Sequence, residues 1–389
     1  MEEWKEYKLG DVCNTISDTY KRKAPEVVLI NTSDVLEGKC LNHIKTLNKD
    51  LKGQFKKTFQ KDDILYSEIR PANKRFAYID FDATDYIAST KLMVLRHNEK
   101  INPQYLFYIL KSKSVIEELQ MLAESRSGTF PQITFSELAN LKIKLPSINE
   151  QIQILSVLKS LDDKIELNRQ INDNLEQQAQ ALFNHYFVEN TELLGEYDEV
   201  CLLDIASYTN GLAMQKYRPS EDETSYLPVM KIKELGQGFT DSNSDICTCN
   251  IPEIYIINSG DIIFSWSGTL MVKIWCGETA GLNQHLFKVS SESYEKWFYY
   301  FWTKYHLRKF INIAKDKAVT MGHIKREDLA KSKVILPNQA TLQNLNKIFS
   351  PIMDSIINNE IESKQQVQLR DTLLPRLMSG ELKIDEINC

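Results

Sequence analysis

Four polar loops hold the side chains with the most chemical reach in this chain. Arg70-Pro-Ala-Asn73-Lys74-Arg75 and Arg126-Ser127-Gly-Thr129-Phe-Pro-Gln132 lie in its first half. Trp266-Ser267-Gly-Thr269-Leu-Met-Val-Lys273 and Lys315-Asp-Lys317-Ala-Val-Thr320-Met-Gly-His323-Ile-Lys325 lie in its second. Arg and Lys bring fixed positive charge, and Asn, Gln, Ser, Thr and His bring donor–acceptor pairs. These are the groups that hold phosphates and reach base edges, so the expected chemistry is recognition of DNA by loops. The plain alternative for any one of these residues is a solvated surface, where Lys and Arg mostly sit.

Covalent chemistry has no comparable footing. His43, His97, His185, His285, His306 and His323 are scattered, and the chain lacks a Gly-x4-Gly-Lys-Ser/Thr phosphate loop and a His-Glu-x-x-His pair. Its eleven prolines are never adjacent, so the Asn/Asp-Pro-Pro-aromatic loop of amino-methyltransferases is missing. A non-catalytic protein is expected. Cys247-Thr-Cys249 is the one close cysteine pair, without a second pair at zinc spacing, so no metal site is expected. Seven cysteines, an odd number, argue against a disulfide framework.

The elements that position the loops are written twice. Asp163, Ile165 and Asn168 return 191 residues later as Asp354, Ile356 and Asn359, and the Pro stop at Pro146 returns at Pro337. Upstream, Asp63-Ile-Leu-Tyr-Ser67 pairs with Asp261-Ile-Ile-Phe-Ser265, and Leu9-Gly-Asp11-Val12 with Leu202-Leu-Asp204-Ile205. An internal duplication fills the chain. Each copy combines short β-branched and aromatic strands with helices, an α+β unit. Asn102-Pro103 is a cap and first-turn Pro opening a helix to about Lys113. The aromatic stretch Tyr294 to Phe310 invites base stacking. Its first-copy counterpart, Tyr105-Leu-Phe-Tyr-Ile-Leu110, mixes Leu and Ile into the same frame, which marks a buried face instead.

After each Pro stop the apolar period changes to 3.5. The first seam runs through Leu158, Leu161, Ile165, Asn168 and Leu175, the second through Phe349, Ile352, Ile356 and Asn359. A polar Asn on such a seam costs stability but sets register. Antiparallel packing of the two helices about a pseudo-twofold axis is expected, with the alternative that each merely covers its own domain. Pro375 is expected to kink or end the second helix, with Ser379-Gly380 as its stop. The expected boundaries are 1–146 and 191–337 for the mixed domains, 147–190 and 338–382 for the helices, and 383–389 for a tail.

Net charge is −6, against an indiscriminate nucleic-acid binder. Residues 1–150 nevertheless hold 23 Lys/Arg against 21 Asp/Glu, whereas 151–190 hold three against six. A polyanion would meet local patches. The N-terminus has neither a basic nor an apolar leader region, and no apolar run approaches the ~20 residues that span a bilayer. A cytoplasmic protein with no membrane contact is expected.

The chain resembles the DNA specificity subunit of type I restriction–modification systems. The resemblance is carried by Trp4-Lys-Glu-Tyr-Lys-Leu-Gly-Asp11, by Leu145-Pro-Ser-Ile-Asn-Glu-Gln151 leading into Leu161-Asp-Asp-Lys-Ile-Glu-Leu-Asn168, and by Leu373-Leu-Pro-Arg-Leu-Met-Ser-Gly-Glu-Leu382. It implies an α+β fold with two pseudo-twofold-related mixed α/β target-recognition domains separated by long antiparallel coiled-coil helices. Each domain would read one half of a bipartite double-stranded DNA target. It further implies two modification subunits, which bind S-adenosylmethionine and methylate adenine, and restriction subunits that use ATP and Mg; no cofactor is implied in this chain. The second copy has Thr341-Leu342 where the first has Glu150-Gln151, a departure that argues against equal docking of the two partner subunits. The competing reading is a coiled-coil scaffold that never touches DNA, but it gives no reason for two domains of ~150 residues.

Overall fold

A computed structural model of the chain describes residues 4–49, 51, 53–125, 131–316 and 322–386. It divides into two compact units, Met1–Asp162 with Gln368–Cys389, and Asp163–Val367.

In the first unit a four-stranded sheet runs in the order Cys13–Ile16, Leu92–His97, Ile64–Ser67, Phe76–Tyr78, all antiparallel. A second follows the order Lys45–Leu47, Glu26–Ile30, Tyr86–Ser89, Phe55–Lys57, with one parallel pair in its middle. The strand Ile64–Ser67 is buried along its whole length. The reason is the two-residue pleat: Ile64 and Tyr66 enter one apolar cluster and Leu65 the other. A sheet covered on both faces reads as a continuous apolar run. Asp63, just before this strand, is buried and takes a bidentate bond from Arg96 at 2.7 Å through both oxygens.

Three helices close this unit: α1 (Pro103–Lys111), α2 (Lys113–Ser125) and α3 (Phe135–Ala139). Asn102 caps α1 by accepting from Gln104 N at 2.9 Å. The helix expected from Asn102-Pro103 to about Lys113 is α1, and Ser112 adopts an extended backbone between it and α2. Helix α4 (Ile148–Asn184) follows the short strand Lys142–Leu145. Its Ile154, Leu155 and Leu158 pack with Leu374 and Leu377 in the first unit's core.

The second unit repeats the plan. Its sheets run Ser207–Asn210, Leu286–Ser290, Ile262–Ser265, Met271–Ile274, and Ile246–Thr248, Tyr226–Met230, Ala280–Leu282, Ile256–Ile257. Ile262 and Phe264 face one cluster and Ile263 the other, as in the first copy. Short helices α5 (Leu202–Ile205) and α6 (Ile232–Gln237) precede α7 (Lys296–Asp316), and α8 (Arg326–Ala330) precedes α9 (Gln339–Ser379). On α7, Trp297, Phe298, Phe301, Trp302 and Phe310 are buried, and Trp297 stacks on Phe349 with ring centroids 4.2 Å apart. The aromatic face of α7 is therefore core, and Tyr305 is the one exposed ring of the helix among the described residues. Pro375 does not end α9, which continues to Ser379. Pro375 is exposed, while Leu374 and Leu377 beside it are buried in the first unit's core; that packing offsets the lost backbone bond.

Candidate nucleic-acid interface

In each unit the buried strand exits into a loop, and a later segment is stitched to that exit. In the first unit Arg70 N donates to Pro131 O at 3.1 Å, Ile133 N donates to Glu68 O at 2.8 Å, and Ile69 bridges Gln132. In the second unit Gly268 N donates to Gly322 O at 3.1 Å, Ile324 N donates to Trp266 O at 3.2 Å, and Ser267 bridges His323. The same three-part stitch thus joins the two predicted loops of each copy. Identical backbone pairing beneath dissimilar side chains is the arrangement expected of a shared frame carrying variable contacts.

The frame asks for a left-handed backbone at its first position. The second copy meets this with Gly268, φ +64°, whereas the first places Arg70 there, φ 45°. Lys74 is also left-handed, φ 52°, closing the tight turn Pro71–Asn73. Such non-glycine conformations cost about 1–3 kcal/mol each. They are held by Asn73 N to Arg70 O at 2.8 Å, Lys74 N to Pro71 O at 2.9 Å, and Ala72 N to the Gln120 side chain at 3.0 Å. Gly322 is needed for a different reason, since a Cβ there would lie 2.5 Å from Ala314 O.

The individual side chains differ in availability. Arg70, Asn73 and Lys74 are exposed, and Lys74 pairs with Glu37 at 3.0 Å across the surface. Arg75 is half-buried and donates to Ser33 O at 3.1 Å and Val35 O at 3.4 Å, so its guanidinium braces the backbone. Gln132 is half-buried. In the second unit Thr269, Lys273, Lys315, His323 and Lys325 are exposed, and Lys273 donates to Gly236 O at 2.7 Å. Thr269 and Lys315 line a shallow hollow floored by Leu270, Ile311 and Ala314. Ser267 is buried, its hydroxyl 3.0 Å from His285 Nδ1, so it supports the loop from beneath. Arg126, Ser127, Thr129, Lys317 and Thr320 lie outside the described residues.

Three residues outside the expected set join the second frame. Trp266 donates from its indole to Asn210 at 2.9 Å, and its ring lies 5.8 Å from His285 and 6.3 Å from His323. Trp266 was visible at the loop's start. Asn210 ends the strand Ser207–Asn210 and His285 sits in the turn before Leu286–Ser290, and neither position carried a sequence signal.

Along the helices, each unit shows an antiparallel pairing. In the first, Asp162 accepts from Lys111 at 3.0 Å and Arg370 at 2.7 Å, and also from the Tyr108 hydroxyl. Burial opposes ionisation of Asp162, yet the Lys111 ammonium, the Tyr108 hydroxyl and Arg370 outweigh it and hold the carboxyl below its ordinary range. In the second, Asn168 is buried and donates to Asn359 O at 3.3 Å and Glu362 at 2.8 Å; Asn172 donates to Ile356 O at 3.0 Å and accepts from Asn359 at 2.9 Å. Leu158 and Phe349 are buried, and Leu161, Ile165, Leu175, Ile352 and Ile356 are half-buried.

Gln151 has an internal role. It is fully buried, accepts from Asn102 N at 2.8 Å and donates to Pro146 O at 3.1 Å, which ties the start of α4 to the cap of α1. In the second copy Thr341 instead bonds Asn338 and Leu194 O, and Leu342 packs on the core. Gln151 is therefore a packing residue in the first copy, with no counterpart at Leu342 in the second.

Among the described residues no helix is long and apolar enough to cross a membrane, and no three His, Cys, Asp or Glu gather as a metal site. The family model "Type I restriction modification DNA specificity domain" matches residues 1–177 and 195–370. The type I restriction enzyme HindI specificity subunit of Haemophilus influenzae is 32% identical, over 98% of this chain and all of that protein. The MjaIX specificity subunit of Methanocaldococcus jannaschii is 29% identical over 73% of this chain and 70% of its own length. A crystal structure of a type I restriction–modification S subunit from M. genitalium shares the fold at 16% identity, with a TM-score of 0.55 over 97% of this chain and 96% of that one. By its matched residues and its similarity to these subunits, the chain belongs to the type I restriction–modification DNA specificity family.

Proposed function

We propose that this chain is the non-catalytic subunit that reads a bipartite double-stranded DNA target and directs methyltransferase and restriction subunits to it. The observation that carries the reading is the stitch repeated in each unit, which gathers polar and basic loops on a duplicated frame. Residues 1–146 and 191–337 serve as the two recognition domains, and 147–190 and 338–382 as the helices that space them. In the first, Arg70, Asn73, Lys74 and Gln132 contact DNA, together with Arg126, Ser127 and Thr129. In the second, Thr269, Lys273, Lys315, Lys317, Thr320, His323 and Lys325 do so. Phosphate contacts position the domains, and base contacts specify the sequence.

Chemistry belongs to partners: S-adenosylmethionine bound by two modification subunits, and ATP with Mg used by restriction subunits, in the cytoplasm. Exchanging residues 191–337 for those of a relative and sequencing the methylome tests the division of labour. One half-site changes and the other stays. A change in both, or in neither, refutes independent reading.

A further inference from the structure

The first unit carries an exposed basic and apolar segment outside the loops assigned above. Residues 39–49 contain Lys39, Lys45 and Lys49 and no Asp or Glu. Three large apolar side chains stand on it in solvent: Leu41 is 55% exposed, Ile44 76% and Leu47 70%. Ile44 is the most exposed large apolar residue among those described. The segment is built to hold this form. Asn42 donates to Leu29 O at 2.9 Å and accepts from Ile44 N at 3.0 Å, while His43 packs against Phe81 and bonds the Tyr86 hydroxyl at 2.9 Å. Lys45–Leu47 then forms the edge of its sheet, paired to Glu26–Ile30.

Lysines on an edge strand ordinarily guard against strand addition. That account explains Lys45 but leaves Ile44 and Leu47 in water. Clustered exposed apolar side chains mark an interaction surface. The second unit has the same edge at Ile246–Thr248, yet residues 239–249 carry Asp241 and Asp245 and no Lys or Arg. The charge has the opposite sign, so the fold itself does not demand the basic form. The segment also continues from the candidate interface: Glu37 N donates to Lys74 O at 2.9 Å and Gly38 N to Phe76 O at 2.9 Å, immediately before Lys39.

We infer that residues 39–49 form a second DNA-contacting arm of the first unit, its lysines on phosphates and Ile44 as an apolar probe of the minor groove. Lys with an exposed Ile or Leu is the combination that enters that groove and loosens a base step. Charge complementarity selects the partner: residues 39–49 carry three lysines and no carboxylate, and duplex DNA, with one negative charge per ~1.7 Å of its axis, is the densest polyanion such a strip can meet. The inference rests on the DNA-reading function proposed above and adds an asymmetry: only the first unit has this contact.

The test uses the full chain assembled with its modification subunits, with target duplex and random duplex as probes. Lys45→Glu with Lys49→Glu is expected to weaken both duplexes and lower the salt slope by about one per lysine. Ile44→Ser is expected to keep the slope, weaken binding several-fold, and abolish the fluorescence rise of 2-aminopurine placed beside the first half-site. All three side chains are exposed, so thermal midpoints should stay put and serve as the folding control. Wild-type slopes and affinities in both variants overturn the arm while leaving the recognition function intact. Loss of subunit assembly with DNA binding unchanged once assembled overturns it in favour of a protein partner. If the unsubstituted complex fails to prefer its target over random duplex, the underlying function fails instead.

Discussion

Replacing Gln151 by Ala separates a structural role from a docking role at the motif that most distinguishes the two copies. The side chain is fully buried and joins Asn102 N at 2.8 Å, Pro146 O at 3.1 Å and, more weakly, Lys100 O at 3.4 Å. Truncation leaves a donor at the head of α1 and an acceptor ahead of α4 without a partner. A stranded buried group costs about 1–3 kcal/mol, so two such groups give a loss of roughly 2–6 kcal/mol. For a body of ~150–250 residues each kcal/mol moves the midpoint by about 2–4 °C. The expected shift is therefore roughly 4–24 °C, in the first unit's transition. Scanning calorimetry and urea unfolding of the full chain measure it. Leu342→Ala, in the second copy, should instead behave as an apolar truncation. If Gln151→Ala unfolds within about 0.5 kcal/mol of the parent yet no longer assembles with modification subunits, the side chain is a docking group and its buried hydrogen bonds do not hold the first unit together.

Further outcomes follow from the same geometry. Arg70→Gly should leave stability unchanged or raised by up to ~1 kcal/mol, because glycine accepts the left-handed backbone, while DNA affinity falls; a clear loss of stability would show that the guanidinium is structural. Lys74→Ala and Lys315→Ala should each reduce the salt slope by about one without changing sequence preference, whereas Arg75→Ala should register in unfolding. Asp162 is held below the ordinary carboxyl range, so its contribution is full above the unfolded-state value near 4 and is lost as pH falls through the lower folded-state value. Asp162→Asn should accordingly flatten the acid limb of the stability curve, and an unchanged limb would count against the network. Inserting four residues near Asn172 lengthens α4 by about 6 Å, roughly two base-pair steps of ~3.4 Å; a methylome with the original gap and full activity would end the idea that the helices set spacing.

The sequence by itself determined the duplication, the mixed α+β units and the long helices. Each depends on a pattern local enough to read. Asp63-Ile-Leu-Tyr-Ser67 and its copy are strands because they are apolar on both faces, and the 3.5-residue period after Pro146 and Pro337 is a property of one helix at a time. The aromatic helix was legible as core because Leu and Ile replace its aromatics in the other copy. What the tertiary structure decided is where polar side chains spend their hydrogen bonds. Gln151 and Ser267 are buried, and Arg75 braces Ser33 O, although each looked like a surface group in sequence. Pro375 stands inside a helix because Leu374 and Leu377 are anchored in a core assembled from distant segments. The stitch between Arg70 and Pro131, or Gly268 and Gly322, links residues 61 and 54 positions apart through backbone atoms alone. Backbone atoms are the same in every residue, so no residue type announces such a pairing, and only folding brings those strands and loops into register.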